Sequence, residues 1–248
     1  MDYSSLAKSL PWAKGVRVVV CDANGLLAVE KPSGVMSHPN KRGEERRALL
    51  NAPYDMDAEV FRVSIGEGDP IEVTLLNRLD GATSGLVLLS LNRDLRDPVL
   101  KAFELKKVRK TYEALVFGMP RRGAPLWKDR LKVTKSEGGV RASAGGGGLG
   151  AETKLVGVKP IPGPPLLSLL TLMPLTGRTH QLRIQTSKRG IPIVGDRTYG
   201  DFQKNKQIAK ARGLKQLCLH CVKVELEYIH RGRKNSFKAS SAAVFIQA

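Results

Sequence analysis

The stretch Asn77-Arg78-Leu79-Asp80-Gly81-Ala82-Thr83-Ser84-Gly85 places a carboxylate among small turn-forming residues, immediately before the apolar run from Leu86 to Leu91. Strand interiors disfavour aspartate, whereas a tight loop at the mouth of a strand is a common place for a rigid scaffold to present a reactive group. Asp, Gly, Ser and Thr are also ordinary turn residues. The stretch therefore supports either a reactive Asp80 or a simple turn, and other segments decide between the two.

The overall charge indicates the kind of partner. The 248 residues include 41 Lys and Arg against 23 Asp and Glu, a net charge of +18 that extends from Lys14 to Lys238. Such an excess attracts nucleic acid, because neutralised phosphates release counterions. The alternative is a generally basic surface with no dedicated ligand. An anionic membrane is a poorer match, since no segment forms a clean amphipathic basic helix.

The sequence also indicates a cellular compartment. The chain shows neither a signal-peptide pattern at its start nor an apolar segment that could span a bilayer. Three cysteines, Cys21, Cys218 and Cys221, are too few for a disulfide framework, which is typical of a reducing compartment. We therefore expect a soluble, cytoplasmic protein with free thiols and no membrane partner.

Periodicity predicts an α+β fold. Alternating valines after Val16 and the apolar return from Leu26 to Val29 predict a β-hairpin. Asp97 and Thr179 are the expected N-caps of two helices. The patterns predict strands at 86–91, 112–117, 166–173, 218–228 and 243–246, helices at about 98–107 and 180–189, loop with short elements at 38–70, an insertion or hairpin excursion at 119–165, and an N-terminal arm at 1–15.

The spacing of candidate ligands argues against a metal or a nucleotide cofactor. His220 lies within Cys218-x-x-Cys221, but a structural zinc site needs four ligands and no second pair occurs at a suitable distance. These residues are better explained by a half-buried strand. The Gly145-x-Gly147-x-x-Gly150 spacing matches a dinucleotide fingerprint, yet no strand leads into it and no acid follows about twenty residues later. We expect no cofactor.

The sequence also lacks the motifs of two kinds of hydrolytic active site. A Ser-His-Asp hydrolase could use Ser84, His180 and Asp80, but the chain has no Gly-x-Ser-x-Gly elbow. A two-carboxylate glycosidase would need a second acid, for which Asp196 is the only tempting partner. Its neighbours, Gly195 and Arg197, indicate a structural turn instead. Neither hydrolytic mechanism is therefore expected.

What remains is one aspartate set among arginines. Arg78 lies two residues before Asp80, and Arg178 and Arg183 lie in a second motif far along the chain. A nearby guanidinium would keep Asp80 ionised and, through bidentate geometry, would fix its direction. Asp80 would then be a permanently available nucleophile. The alternative is that these arginines bind phosphate or lie on a solvated helical face.

Six segments, in this order, resemble the RluA-type pseudouridine synthases, which isomerise uridine in rRNA or tRNA. A match to one short motif is easily found by chance, whereas an ordered set is far more specific. The resemblance extends from about residue 16 to 230. It rests on residues 29–35 (Val-Glu-Lys-Pro-Ser-Gly-Val), 78–85, 110–118 (Lys-Thr-Tyr-Glu-Ala-Leu-Val-Phe-Gly), 175–184 (Leu-Thr-Gly-Arg-Thr-His-Gln-Leu-Arg-Ile), 192–199 and 217–220.

The resemblance implies a fold and a reaction. The family fold is a mixed, mostly antiparallel sheet flanked by helices and loops, with a central cleft that contains the aspartate. It would occupy residues 16–248 as one catalytic domain, without a separate N-terminal RNA-binding module. In the reaction, the bond from N1 to C1′ breaks, the uracil turns over and C5 bonds to C1′. No redox step or group donor is involved, which implies that the enzyme uses neither metal nor cofactor.

The resemblance also implies roles for individual residues. Asp80 would be the nucleophile, attacking either the sugar or the base, and Arg183 would be its salt-bridge partner. Tyr112 would lie against the uracil ring. Arg78 would fill the space that the target nucleotide leaves when it is extracted from the stack. Lys31, Leu79 and Arg178 are further expected to contact the substrate.

One position departs from the family pattern. The residue before Arg78 is usually His in the family and is Asn77 here. Catalysis is assigned to Asp80, so we expect the change to be tolerated and to affect RNA positioning at most. The main hypothesis is an RNA pseudouridine synthase that acts as a monomer on structured rRNA or tRNA. The alternative is a non-catalytic RNA-binding or ribosome-assembly factor, which would have no need for Tyr112 and Arg183 beside Asp80.

Overall fold

Strands and a few short helices alternate along the chain. The computed structural model describes residues 2–66, 68–121, 123, 125–136, 139–144, 147–243 and 245. The helices are α1 (Tyr3–Ser9), α2 (Arg96–Glu104), α3 (Gln181–Lys188) and α4 (Phe202–Arg212). The strands are β1 (Arg17–Cys21), β2 (Leu26–Lys31), β3 (Tyr54–Asp55), β4 (Val60–Val63), β5 (Ile71–Leu75), β6 (Ser84–Ser90), β7 (Val108–Phe117), β8 (Leu126–Ser136), β9 (Gly139–Ala144), β10 (Leu149–Ile161), β11 (Leu167–Pro174), β12 (Leu219–His230) and β13 (Arg233–Ser240).

The elements with clear periodicity are confirmed. β1 and β2 form the predicted hairpin, β6 is the predicted buried strand, and β8, β9 and β10 form the predicted hairpin excursion. The half-buried strand around Cys218 and Cys221 is β12, and both cysteines are buried. Residues 244 and 246 of the predicted final strand lie outside the described residues, as does Gly145.

The predicted helix starts are wrong by one residue or more. α2 begins at Arg96, so Asp97 lies inside its first turn instead of capping it. α3 is preceded by His180, not Thr179, and His180 has left-handed backbone angles, φ 54° and ψ 20°. The expected arm contains α1, whose first N–H groups are capped by the Asp2 carboxylate. Local turn geometry, which sequence patterns encode weakly, decides these boundaries.

The chain divides into two compact units, and the first comprises residues 1–109 and 221–241. Its strands β3, β4, β5 and β6 pair in that order, β2 pairs with β6 and β1 pairs with β2, all antiparallel. β12 and β13 form a further hairpin. The register of β2 with β6 places Lys31 opposite Gly85. The end of β2 therefore lies beside the turn that carries Asp80.

Gly85 fixes where this turn joins β6. Its φ of +112° is disfavoured for residues with a side chain. A Cβ at this position would also collide with the backbone of Cys221. Only glycine satisfies both conditions, which explains why the turn ends in Ser84-Gly85 before the apolar strand begins.

The second unit comprises residues 110–220 and 242–248. Its strands run in the order β7, β11, β10, β8 and β9, with antiparallel pairing throughout this path. Helix α3 is almost entirely buried although it is polar, so hydrogen bonds must replace the usual apolar face. Within the described ranges, no helix is long and apolar enough to cross a membrane.

Candidate functional site

The Asp80 turn lies between β5 and β6 in the first unit. The N–H of Thr83 donates to the carbonyl of Asp80 at 3.0 Å and closes the turn. Leu79 is buried, Asp80 is half-buried and Arg78 is exposed. Leu79 therefore anchors the turn in the core, while Arg78 before it is exposed and Asp80 after it is half-buried.

A second loop, residues 32–37, fastens this turn through its main chain. The Ser37 hydroxyl donates to the carbonyl of Leu79 and accepts from the N–H of Leu79, both at 2.9 Å. Gly34 N–H donates to the carbonyl of Gly81 at 2.8 Å. The Ser33 hydroxyl donates to the next carbonyl, that of residue 82, at 2.8 Å. These bonds hold the backbone on both sides of residue 80 and use neither oxygen of its carboxylate.

The buried side chain of Lys31 also binds this turn and the loop at 32–37. Its side chain is fully buried, at 0% exposure, and its Nζ donates to the carbonyls of Val35 at 2.6 Å, Pro32 at 3.1 Å and Gly81 at 3.2 Å. Burial lowers the pKa of Lys31 to about 7, while the negative charge of Asp80 acts in the opposite direction. Three acceptors match the three N–H bonds of an ammonium group. This lysine joins the two loops and presents no surface to solvent.

Arg78 lies at the edge of an aromatic cluster. Its Nη1 lies 3.3 Å from Nε2 of His38 and 3.7 Å from the carboxylate of Glu59. The His38 ring stacks on Tyr54 with centroids 5.2 Å apart and an interplanar angle of 13°. The Arg78 side chain remains 59% exposed. The cluster thus contacts the guanidinium of Arg78 through Nη1 and leaves much of the side chain accessible to a polyanion.

Asn77 is used structurally. Its Oδ1 accepts a hydrogen bond from Leu88 N–H at 2.7 Å. Its Nδ2 is buried and has no hydrogen-bond partner among the described residues. The side chain therefore connects the turn to β6, and its amide nitrogen adds a desolvation cost.

In the second unit, Arg183 is held by a carboxylate that the sequence did not link to it. Nε and Nη2 of Arg183 donate to the two oxygens of Asp196 at 2.8 and 2.9 Å. The same carboxylate accepts from the N–H groups of Thr198 and Tyr199 at 2.8 and 3.0 Å. Burial acts to raise the pKa of Asp196, but Arg183 and the two N–H groups outweigh it and hold that pKa below its usual range. Both side chains are nearly inaccessible.

The Tyr199 ring packs against this pair and is itself hydrogen-bonded to His180. The guanidinium carbon of Arg183 lies 5.1 Å from the Tyr199 ring centroid, within cation–π range. The Tyr199 hydroxyl lies 2.8 Å from Nδ1 of His180. Tyr112 is buried on β7, where its partner across the sheet is Leu172 of β11. Arg183 is thus fixed in direction by charge and by packing.

Buried amides position the rest of the second motif. Gln181 accepts from Thr176 Oγ1 at 2.7 Å and from Arg178 N–H at 3.1 Å, and it donates to Thr153 Oγ1 at 2.9 Å. The Arg178 side chain donates from Nε to the carbonyl of Gly150 at 3.1 Å and is exposed. The network explains how a polar α3 can be buried, and it directs Arg178 outward from the start of the helix.

The structure places the seven residues expected from the sequence in two groups. Lys31, Arg78, Leu79 and Asp80 lie together in the first unit. The second unit contains the other three, which are Tyr112, Arg178 and Arg183. Sequence reasoning did not identify Ser37 or the role of Asp196. A serine in a loop carries no signal of this kind, whereas the turn around Asp196 was visible without its partner.

Comparison with known proteins shows which proteins this chain is similar to. The family model described as RNA pseudouridylate synthase matches residues 25–188, which include Lys31, Asp80, Tyr112 and Arg183. The tRNA pseudouridine synthase C of Salmonella typhimurium is 28% identical over 232 residues, 90% of this chain and 85% of that protein. The ribosomal large subunit pseudouridine synthase C of Haemophilus influenzae is 31% identical over 226 residues, 87% of this chain and 62% of that protein.

Solved structures confirm the fold. The structure of human RNA Pseudouridylate Synthase Domain Containing 1 covers 92% of this chain with a TM-score of 0.65 and 21% identity, and this chain covers 84% of it. Human RNA Pseudouridylate Synthase Domain Containing 4 covers 99% with a TM-score of 0.64 and 20% identity, and 94% of that chain is covered in return. The α+β fold expected from the sequence is therefore the fold of these domains.

Proposed function

Because the chain belongs to the RNA pseudouridylate synthase family, we propose that it isomerises particular uridines in structured tRNA or rRNA to pseudouridine, with Asp80 as the nucleophile. The observation that carries the assignment is how the Asp80 turn is fastened. Ser37, Gly34 and Lys31 all bind its main chain. These bonds fix the main chain on both sides of the residue that would form the new bond, and so hold it in one position.

The expected ion pair of Asp80 with Arg183 is part of this proposal. Arg183 holds Asp196 through Nε and Nη2, and Nη1 is not one of the atoms in that pair. A guanidinium carries five N–H donors in a rigid fork, so one that is already aligned by a carboxylate can bind a second carboxylate at little entropic cost.

The other residues receive roles that follow from their burial. Tyr112, buried on β7, would offer a flat ring to the detached uracil while it turns over. Arg78 and Arg178 are exposed and would contact the RNA, with Arg78 filling the gap that the flipped nucleotide leaves. Leu79 would pack at the base of the pocket. In the net reaction the bond from N1 to C1′ is replaced by one from C5 to C1′, while C5 loses a proton and N1 gains one.

Mapping pseudouridine in total RNA from cells with and without the gene tests this function. We expect specific sites to lose pseudouridine in the deletion and to regain it with the wild-type gene. Asp80→Asn should be slower by about 10⁴-fold or more, since it removes the nucleophile. Asp69→Asn, a change at an exposed aspartate, is the matched control and should behave as wild type.

Two outcomes would overturn the assignment. An active Asp80→Asn protein would exclude Asp80 as nucleophile. An unchanged pseudouridine map, together with RNA binding that survives Asp80→Asn, would replace the proposal with the non-catalytic RNA-binding alternative.

A further inference from the structure

A basic cavity lies in the first unit, on the outer face of the β12–β13 hairpin. It has a volume of about 460 Å³. On one side it is lined by the segment that leads from α2 into β7, and on the other by the two strands. We call its four cations, Lys106, Lys107, Arg109 and Lys238, the basic groove.

Strand alternation explains why charged side chains meet there. Leu226 and Tyr228 of β12 are buried. Successive side chains of a strand point to opposite faces, so those of Glu225 and Glu227 point to the outer face. The register places Lys238 of β13 opposite Glu225. The opposite wall begins at Lys106, whose φ of 56° turns the chain sharply after α2. The groove is therefore built from defined backbone elements.

The two carboxylates of the groove are already neutralised by other lysines. Glu225 pairs with Lys223 at 2.8 Å, and Glu227 pairs with Lys234 at 3.0 Å. The hydrogen bond from Lys223 is the largest cause that lowers the pKa of Glu225, and Lys234 has the same effect on Glu227. Both carboxylates are therefore anionic at neutral pH, and each has its own cation.

The positive charge of the basic groove exceeds its negative charge. Each is exposed, and among the described residues none is within ion-pair distance of a carboxylate. At longer range, Arg109 and Lys238 also help to lower the pKa of Glu225, and Lys107 and Arg109 help to lower the pKa of Glu227. Four positive charges converging on one concave surface are unfavourable unless an anion joins them. Monovalent counterions can satisfy such a surface, but a chain of phosphates binds more strongly because it releases those ions.

We propose that the basic groove binds the phosphate backbone of the substrate RNA at a point away from the target nucleotide. This rests on the proposed function, which makes RNA the substrate. The groove offers charge and the Ser236 hydroxyl, while its aromatic residue, Phe237, is buried. Such a surface contacts phosphates without stacking on bases, so it positions the RNA and does not read its sequence.

The test compares two variants that each lose four positive charges. In the groove variant, Lys106, Lys107, Arg109 and Lys238 are replaced by Gln. In the control variant, Lys8, Lys159, Lys206 and Lys215, which are exposed and scattered over several elements, are replaced by Gln. Affinity for pooled unmodified tRNA transcripts is measured by filter binding over a range of salt concentrations, with wild-type protein alongside.

The groove variant should bind about 10- to 100-fold more weakly at physiological salt, and the slope of log affinity against log salt should fall by about 3. The control variant should change both quantities much less. On an RNA that the wild type modifies, the groove variant should raise KM and leave kcat within about twofold, because it lacks contacts away from the reacting atoms. Equal effects in the two variants, or an unchanged salt slope in the groove variant, would overturn the groove proposal. An inactive wild type would instead count against the proposed function.

Discussion

Two aspartates in glycine-containing turns, Asp80 and Asp196, are treated in opposite ways by their surroundings. Asp196 gives both carboxylate oxygens to Arg183 and accepts two backbone N–H groups as well. At residue 80, by contrast, Ser37 and Lys31 bind the carbonyls of Leu79 and Gly81. The turn at Asp196 is held through its carboxylate, whereas the turn at Asp80 is held through the main-chain groups on either side of that residue.

This difference fits a structural role for Asp196 and the proposed reactive role of Asp80. A carboxylate saturated by four donors is stabilised in its charged form and is a poor nucleophile, because any new bond must displace existing ones. A carboxylate whose position is set by the neighbouring main chain can form a bond without unfastening the turn. Asp196 therefore stabilises the fold and directs Arg183, whereas the way the Asp80 turn is held is consistent with the proposed role of Asp80 as nucleophile.

The largest expected effect on stability comes from Asp196→Asn. The change leaves the buried Arg183 charge without its carboxylate and should reduce the free energy of unfolding by about 3–5 kcal/mol. The isosteric change Asp80→Asn should alter it by less than about 1 kcal/mol. Urea unfolding at pH 7 measures both variants against wild type.

The free energy of unfolding, measured over a range of pH, tests the same difference between Asp196 and Asp80. The folded-state pKa of Asp196 lies below its unfolded value of 3.8, so its stabilisation is present above pH 3.8 and is lost as the pH falls through the folded-state pKa. The difference between wild type and Asp196→Asn should therefore shrink in strong acid. If the two aspartate variants were equally stable at pH 7, the distinction between the two turns would be wrong.

The substitution Lys31→Met tests whether this buried lysine stabilises the Asp80 turn. The folded-state pKa of Lys31 is about 7 against 10.5 for an ordinary lysine, so between these values the unfolded chain binds more protons. Wild-type stability should therefore rise with pH across this window, by up to about 1.4 kcal/mol per pH unit. The variant should lack this contribution, and urea unfolding of both proteins from pH 7 to 10 measures the difference in slope.

Kinetic measurements on Lys31→Met distinguish a residue that positions the turn from one that contacts the RNA. If Lys31 holds the turn, Lys31→Met should lower kcat and leave the affinity for RNA within about twofold, since its side chain is fully buried. A loss of RNA affinity with unchanged kcat would return Lys31 to the substrate-contacting role expected from the sequence. Parallel stability curves in the pH series would show that the buried amine does not titrate in this window.

The sequence predicted the elements that have an apolar run or an alternating pattern of apolar residues. β2 and β6 are almost wholly buried and were visible as apolar runs, and the ordered motifs located the turn between β5 and β6. α4 was missed because only Ile208 is buried along it, which leaves no apolar face to recognise. Its capping residues, Asp201 and Gly213, were present in the sequence but are common turn residues as well.

Partners across long separations could not be predicted. Ser37 reaches Leu79 over 42 residues, and nothing in either residue type specifies the other. Arg183 and Asp196 are only 13 residues apart, yet their contact depends on how the loop after α3 folds back. The residue types of a site can be recognised from motifs, whereas the supporting hydrogen bonds depend on tertiary packing.

The smallest effects come from two residues that bind the same turn, Ser37 and Asn77. Ser37→Ala removes both hydrogen bonds to Leu79 and leaves a buried N–H and carbonyl unsatisfied, which should cost about 1–3 kcal/mol. Asn77→Ala removes one bond, to Leu88 N–H, but also removes a buried amide nitrogen that lacks a partner. These two terms oppose each other, so stability should change by less than about 1 kcal/mol. Urea unfolding of both variants tests the contrast, and a larger loss from Asn77→Ala than from Ser37→Ala would show that Asn77, and not the loop at 32–37, holds the turn in place.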